Sequence, residues 1–126
     1  MRKRKIMIID DSRGFTKIIK LTLEAGANYE VLEENNPKLG LETARNFHPD
    51  LILLDVIMPN LDGGDVLTQI RSDPYLRSVP VVFLTATVRK KEVLDHHGAI
   101  GGNFFMAKPV SAEELIECIE RHAGAE

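Results

Sequence analysis

Four short apolar runs in this chain each close on a polar residue: Ile6-Met7-Ile8-Ile9 on Asp10, Leu51-Ile52-Leu53-Leu54 on Asp55, Val81-Val82-Phe83-Leu84 on Thr85, and Phe104-Phe105-Met106-Ala107 on Lys108. The runs are continuous rather than alternating, as expected of strands buried on both faces. Stretches of helical period separate them. That alternation predicts βαβ units and a parallel sheet with helices on both sides. The carboxyl ends of parallel strands share one edge, so the four polar residues meet there.

The first helix is predicted over Arg13–Glu24, where Phe15, Ile18, Ile19, Thr22 and Leu23 fall at i, i+3, i+4, i+7 and i+8. Gly26 is its stop. A second strand covers Tyr29 to Glu33. Asn35-Asn36-Pro37 opens a second helix that ends near Phe47, and Pro49-Asp50 turns the chain into the third strand. A loop containing Pro59, Asn60 and Asp62-Gly63-Gly64 then leads to a third helix ending near Ser72, which buries Val66, Leu67 and Ile70. Pro74 and Pro80 bound the linker to the fourth strand. A fourth helix runs from about Val88, with Thr87 as N-cap, to Gly98. Ser111 and Glu114 form a capping box for the fifth helix, which carries Leu115, Ile116, Cys118 and Ile119. The expected fold is α/β, a doubly wound sheet of five parallel strands with five helices. Residues 1–126 suit one domain.

A net charge of −3 argues against a polyanion such as nucleic acid as the main partner. The basic run Arg2-Lys3-Arg4-Lys5 reads as a solvated lead-in to the first strand. With one cysteine, an intramolecular disulfide is ruled out, and the helical spacing of Cys118 with Leu115, Ile119 and His122 makes it a core thiol. The histidines lack metal-site spacing; His96 and His97 are adjacent and do not share a helix face. No apolar run approaches the roughly 20 residues of a membrane span, and Arg2 to Lys5 lead only into a four-residue apolar run, not a signal peptide. A cytoplasmic protein is expected, with no membrane contact.

In open parallel sheets, ligands bind beyond the carboxyl ends of the strands. Asp10, Asp11 and Asp55 would repel one another there, and a divalent cation and a lysine would relieve that repulsion. An all-oxygen set with neither Cys nor His suits Mg²⁺, or Mn²⁺ in its place, rather than zinc or copper. A carboxylate can also be a nucleophile and form an aspartyl phosphate. Phosphoryl transfer then needs mainly positioning and charge neutralisation, which Thr85 and Lys108 could supply. Each piece alone has an ordinary explanation. An Asp-Asp pair is commonly a turn or a cap, with Asp11 or Ser12 capping the first helix. A threonine ends many strands, Lys-Pro often precedes a helix, and Asp62-Gly63 is a turn signal. It is the conjunction, at the right ends and in the right order, that points to phosphoryl chemistry.

The whole chain resembles a receiver domain of a two-component response regulator of the chemotaxis-regulator type. The resemblance rests on Ile8-Ile9-Asp10-Asp11-Ser12, on Asp50-Leu51-Ile52-Leu53-Leu54-Asp55-Val56-Ile57-Met58-Pro59, on Asp62-Gly63, on Pro80-Val81-Val82-Phe83-Leu84-Thr85-Ala86 and on Lys108-Pro109. It implies strand order 2-1-3-4-5, with Asp55 as phosphoacceptor. Asp10, Asp11, Asp55 and the backbone carbonyl of Ile57 would hold Mg²⁺, while Thr85 and Lys108 bind the phosphoryl oxygens. It further implies a cis Lys108-Pro109 bond, a switch made of Thr85 and Phe105, and at most slow self-phosphorylation and self-dephosphorylation rather than enzymatic turnover. The partners implied are a sensor histidine kinase or histidine phosphotransfer protein. Output to an effector or a second copy of the domain would use the face of the fourth helix, fifth strand and fifth helix. That face sets Arg89, Lys90 and Lys91 against Glu113, Glu114, Glu117 and Glu120. Ile57 and Thr87 flank the attacking water in the family; neither offers a carboxylate or carboxamide, which implies a long-lived phosphorylated state. One departure is Gly98-Ala99-Ile100, read as a short extension of the loop before Gly101, the glycine seven residues ahead of the lysine.

Two other readings exist. A haloacid-dehalogenase-type hydrolase also uses an aspartyl nucleophile, but in an Asp-x-Asp pattern after the first strand, whereas here the pair is adjacent and residue 12 is Ser. A pseudo-receiver binds partners without phosphorylation, yet such domains usually lose one or more of the five polar site residues, all present here.

Overall fold

Strand β3 (Leu51–Asp55) is buried along its whole length, and β1 (Arg4–Ile9) from Ile6 onward. This is the burial expected of central strands covered on both faces. In the computed structural model, which describes residues 3–26, 28–56, 58, 63–86, 99–100 and 103–123, they are flanked by β2 (Tyr29–Glu34), β4 (Val81–Thr85) and β6 (Asn103–Ala107). The sheet order is β2-β1-β3-β4-β6, all parallel, with one more short strand beyond β6. The doubly wound order inferred from the resemblance is therefore present. β5 (Ala99–Ile100) is a correction. These two residues were expected to extend a loop, but they pair antiparallel with Asn103 and Phe104 as a short edge strand.

The helices divide the core in two. Ile6, Ile8, Leu51, Leu53, Val82 and Leu84 face α1 (Arg13–Glu24) and the C-terminal helix (Ala112–His122), which add Ile19, Leu23, Leu115, Cys118 and Ile119. Met7, Ile9, Ile52, Leu54, Val81 and Phe83 face α2 (Gly40–Phe47) and α3 (Gly63–Ser72), which add Ala44, Val66 and Ile70. Alternate residues of each strand thus enter opposite clusters. Cys118 is the core thiol expected, with burial pushing its pKa up to about 11.

Ser12 caps α1 by accepting the Phe15 N–H, and Ser111 with Glu114 forms the capping box of the C-terminal helix. The helix expected from Asn35-Asn36-Pro37 begins instead as a 3₁₀ turn over Pro37–Leu39, because the Asn36 side chain caps Lys38 N–H and leaves α2 to start at Gly40. Arg4 and Lys5, expected as a solvated lead-in, belong to β1 itself. Arg4 lies 3.4 Å from Glu120, and Lys5 donates to the Phe47 carbonyl. The predicted fourth helix from Val88 to Gly98, with Thr87, lies outside the described residues. No helix among the described residues is long and apolar enough to cross a membrane.

Candidate functional site

Strand register determines which side chains meet. Ile9 pairs with Leu54, so Asp10 and Asp55 emerge side by side at the edge shared by β1 and β3. Asp55 pairs with Leu84, one residue before Thr85, and Thr85 pairs with Ala107, one before Lys108. The backbone N–H of Lys108 donates to the Thr85 carbonyl at 2.9 Å. The four polar residues that close the apolar runs therefore lie along one edge, and the Lys108-Pro109 bond that follows is cis.

Asp10, Asp11 and Asp55 each offer a carboxylate oxygen within 4.8 Å of the others; Asp10 and Asp55 are buried and Asp11 is exposed. Lys108 Nζ donates to Asp10 Oδ2 at 2.8 Å and lies 3.6 Å from Asp55 Oδ1. Burial pushes the Asp55 carboxyl above its ordinary value, Asp10 adds to the shift, Lys108 opposes it and Asp11 adds to it again. Among the described residues one ammonium thus serves an acidic cluster that carries more negative charge than it can neutralise. Such a cluster fits a hard divalent cation through oxygen donors alone. Thr85 is buried beside it. Ile57, whose carbonyl was expected as a fourth ligand, and Asp62 lie outside the described residues.

Several supporting residues were not singled out as site residues from the sequence. Asn35 Nδ2 donates to the Asp10 carbonyl at 2.8 Å and to Thr16 Oγ1 at 3.0 Å, while the fully buried Thr16 hydroxyl donates to Glu33 at 2.9 Å. This network holds the Asp10 backbone from behind; Ser12 N–H holds its Oδ1 at 2.9 Å. Gly63 was read as part of a turn. Its N–H donates to the Val56 carbonyl at 2.8 Å, and a Cβ there would press on the Asp55 carbonyl oxygen and lie 2.9 Å from Val56 Cα. Phe15, read only as part of an apolar helix face, lies with its ring centroid 4.2 Å from Lys108 Nζ. A strand-end rule applied to β2 would have found Asn35, but that strand closes on polar residues and gives no apolar run to mark its end.

Phe105 is half-buried and stacks on Phe83, with ring centroids 5.0 Å apart. Phe83 in turn lies against Gly63, where Cε1 would be 3.1 Å from an added Cβ. The acidic row on the C-terminal helix is less free than the sequence suggests. Glu114 belongs to the capping box, Glu117 pairs with Arg121, and Glu120 accepts from the Tyr29 hydroxyl at 2.6 Å. Arg89, Lys90 and Lys91 lie outside the described residues.

The family model for the response regulator receiver domain matches residues 6–120. The nisin biosynthesis regulatory protein NisR of Lactococcus lactis subsp. lactis is 34% identical over 122 residues, an alignment covering 97% of this chain and 51% of NisR. The chain thus spans about half the length of that relative. The polar-differentiation response regulator DivK of Brucella ovis is 31% identical over 122 residues, covering 96% of this chain and 97% of DivK. Among solved structures, the receiver domain of sensor histidine kinase PA1611 from Pseudomonas aeruginosa PAO1, with a magnesium ion coordinated in its active-site cleft, superposes with a TM-score of 0.81. It is 27% identical and covers 98% of this chain and all of that one.

Proposed function

From the premise that this chain belongs to the response regulator receiver domain family, a signalling family of two-component systems, we propose that residues 1–126 form one receiver unit that accepts a phosphoryl group on Asp55. The donor is the phosphohistidine of a sensor kinase or phosphotransfer protein, and transfer requires Mg²⁺. The observation that carries this reading is the Asp55 carboxylate itself. It is buried, pressed by Asp10 and Asp11, and 3.6 Å from the Lys108 ammonium.

In the transfer, an Asp55 oxygen bonds to phosphorus as the P–N bond of phosphohistidine breaks, and the bonding electron pair stays with the departing imidazole. Lys108 donates to a phosphoryl oxygen and offsets the charge that arrives on Asp55. The Thr85 hydroxyl, at the end of the neighbouring strand, donates to a second oxygen. Asp10, Asp11 and Asp55 would hold the Mg²⁺, with Ile57 as the carbonyl ligand implied by the resemblance. When bound, the cation neutralises phosphoryl charge and orients the group for in-line displacement. The magnesium site of the PA1611 receiver domain supports this assignment by similarity.

Phe105 and Thr85 are the proposed switch. Phe83 supports that role, because it lies against Gly63 in the segment after Asp55 and stacks on Phe105. Output through the C-terminal helix, β6 and the fourth helix, to an effector or a second copy, completes the reading. The test is incubation with acetyl phosphate and Mg²⁺ followed by intact-mass measurement. One phosphoryl group is expected on the wild-type chain and none in EDTA or on Asp55→Asn. Equal labelling of Asp55→Asn would overturn the assignment.

A further inference from the structure

Lys108 faces a conflict at this site. Its strongest partner is Asp10 Oδ2, at 2.8 Å, and Asp55 Oδ1 follows at 3.6 Å. Both carboxylates belong to the cluster that fits a cation. A metal held by that cluster would compete with the lysine for the charge of the same carboxylates. The lysine side chain has four flexible carbons and a strongly hydrated head, so an ammonium released from Asp10 tends to turn toward water.

One neighbour of the ammonium is not drawn into that competition. The Phe15 ring centroid lies 4.2 Å from Lys108 Nζ. The ring face attracts a cation through its quadrupole, yet it carries no net charge and cannot ligate a metal. Its position is well fixed. The Phe15 N–H donates to the Ser12 N-cap, three residues earlier in the chain, and the side chain packs on the core cluster that includes Ile8 and Leu84. The same turn that delivers Asp10 and Asp11 therefore also delivers the ring.

We propose that Phe15 is a positioning residue for Lys108, holding the ammonium in reach of Asp55 when the carboxylates are engaged elsewhere. The proposal rests on the phosphoacceptor reading of Asp55 and adds to it the residue that keeps the lysine in place. The contribution is preorganisation: a lysine already held at the acceptor spares the transfer step a search through side-chain rotamers. The half-buried ring also covers one side of the ammonium, and the lower local polarity there strengthens its attraction for an arriving anion.

Replacing Phe15 by singly, doubly and triply fluorinated phenylalanine drains the ring face step by step at nearly constant shape. Two readouts follow on the full chain. Without metal, the Lys108 ε-methylene protons should lie upfield through the ring current of Phe15, and Phe15→Leu should return them to the ordinary lysine position. With Mg²⁺ and acetyl phosphate, the rate of Asp55 labelling should fall progressively along the fluorinated series. The total loss should be about 3- to 10-fold, with Mg²⁺ affinity unchanged and Phe15→Tyr close to wild type. Absence of the upfield shift, or a flat labelling rate along the series, would overturn the role of Phe15 while leaving Asp55 as acceptor. A wild-type chain that takes up no label at all would overturn the functional reading, and this one with it.

Discussion

Asp55 and Asp73 are both buried aspartates, at 8% and 2% exposure, and their surroundings push them in opposite directions. Asp73 lies between α3 and β4. Burial raises its pKa, but Arg45, the Tyr75 N–H and the Leu76 N–H outweigh it, and the carboxyl sits below its ordinary value. Its Oδ1 accepts the Tyr75 N–H at 2.8 Å, Oδ2 pairs with Arg45, and its own carbonyl accepts the Arg77 N–H at 2.9 Å. Asp55 shares one lysine with Asp10 and is raised. A fully provided carboxylate stabilises a turn and has nothing left to offer a ligand. An under-provided one burdens the fold and is relieved by a cation or by a covalent change. The chemistry belongs to the second.

Metal addition should give the largest separation between the two. At a hundredfold excess over its Kd, Mg²⁺ should stabilise the wild-type chain by about 2.7 kcal/mol, because it binds the folded cluster and not the unfolded chain. Denaturant titration should show this shift persisting in Asp73→Asn and largely lost in Asp55→Asn. A shift of wild-type size in Asp55→Asn would mean that the cation binds elsewhere.

The loop that follows Asp55 should come next in size. Gly63→Ala places a methyl group against the Asp55 carbonyl oxygen and Val56 Cα, backbone atoms that cannot swing aside. Overpacking of this kind costs about 1–3 kcal/mol. Because the displaced atoms belong to the acceptor's own backbone, labelling by acetyl phosphate should slow as well. Gly14→Ala, where nothing lies within 4 Å of the added carbon, should leave stability nearly unchanged by the same denaturation assay.

Legibility in the sequence divides along the same line. The strand ends were readable because parallel strands need continuous apolar runs, and a polar residue closing such a run is conspicuous. Asp10, Asp55, Thr85 and Lys108 were located this way, and the register brings them to one edge. Asp73 carried no comparable signal: it sits in a Ser-Asp-Pro-Tyr turn whose partner, Arg45, is 28 residues away on another helix. Asn35, Thr16 and Phe15 were missed for the same reason, since their roles depend on which side chains meet in space. The edge strand over Ala99–Ile100 escaped because two residues between glycines show no period.

The smallest expected effect, and the most direct view of the contrast, is the pH dependence of stability in metal-free protein. For Asp73 the folded pKa is depressed, so the unfolded chain binds the proton more readily. Its contribution to stability is present above the ordinary carboxylate range and is lost as pH falls through the folded value. For Asp55 the folded pKa is raised, so the native state binds the proton more readily, and stability declines as pH rises from the ordinary range through the folded value. In urea titrations at stepped pH with EDTA, Asp73→Asn should therefore fall furthest below wild type near neutrality and approach it in acid. Asp55→Asn should do the reverse, its urea midpoint rising above wild type as pH increases, by only a small margin because Lys108 already offsets part of the repulsion. Parallel curves for the two variants would show that the two carboxylates differ in placement alone and not in electrostatic provision.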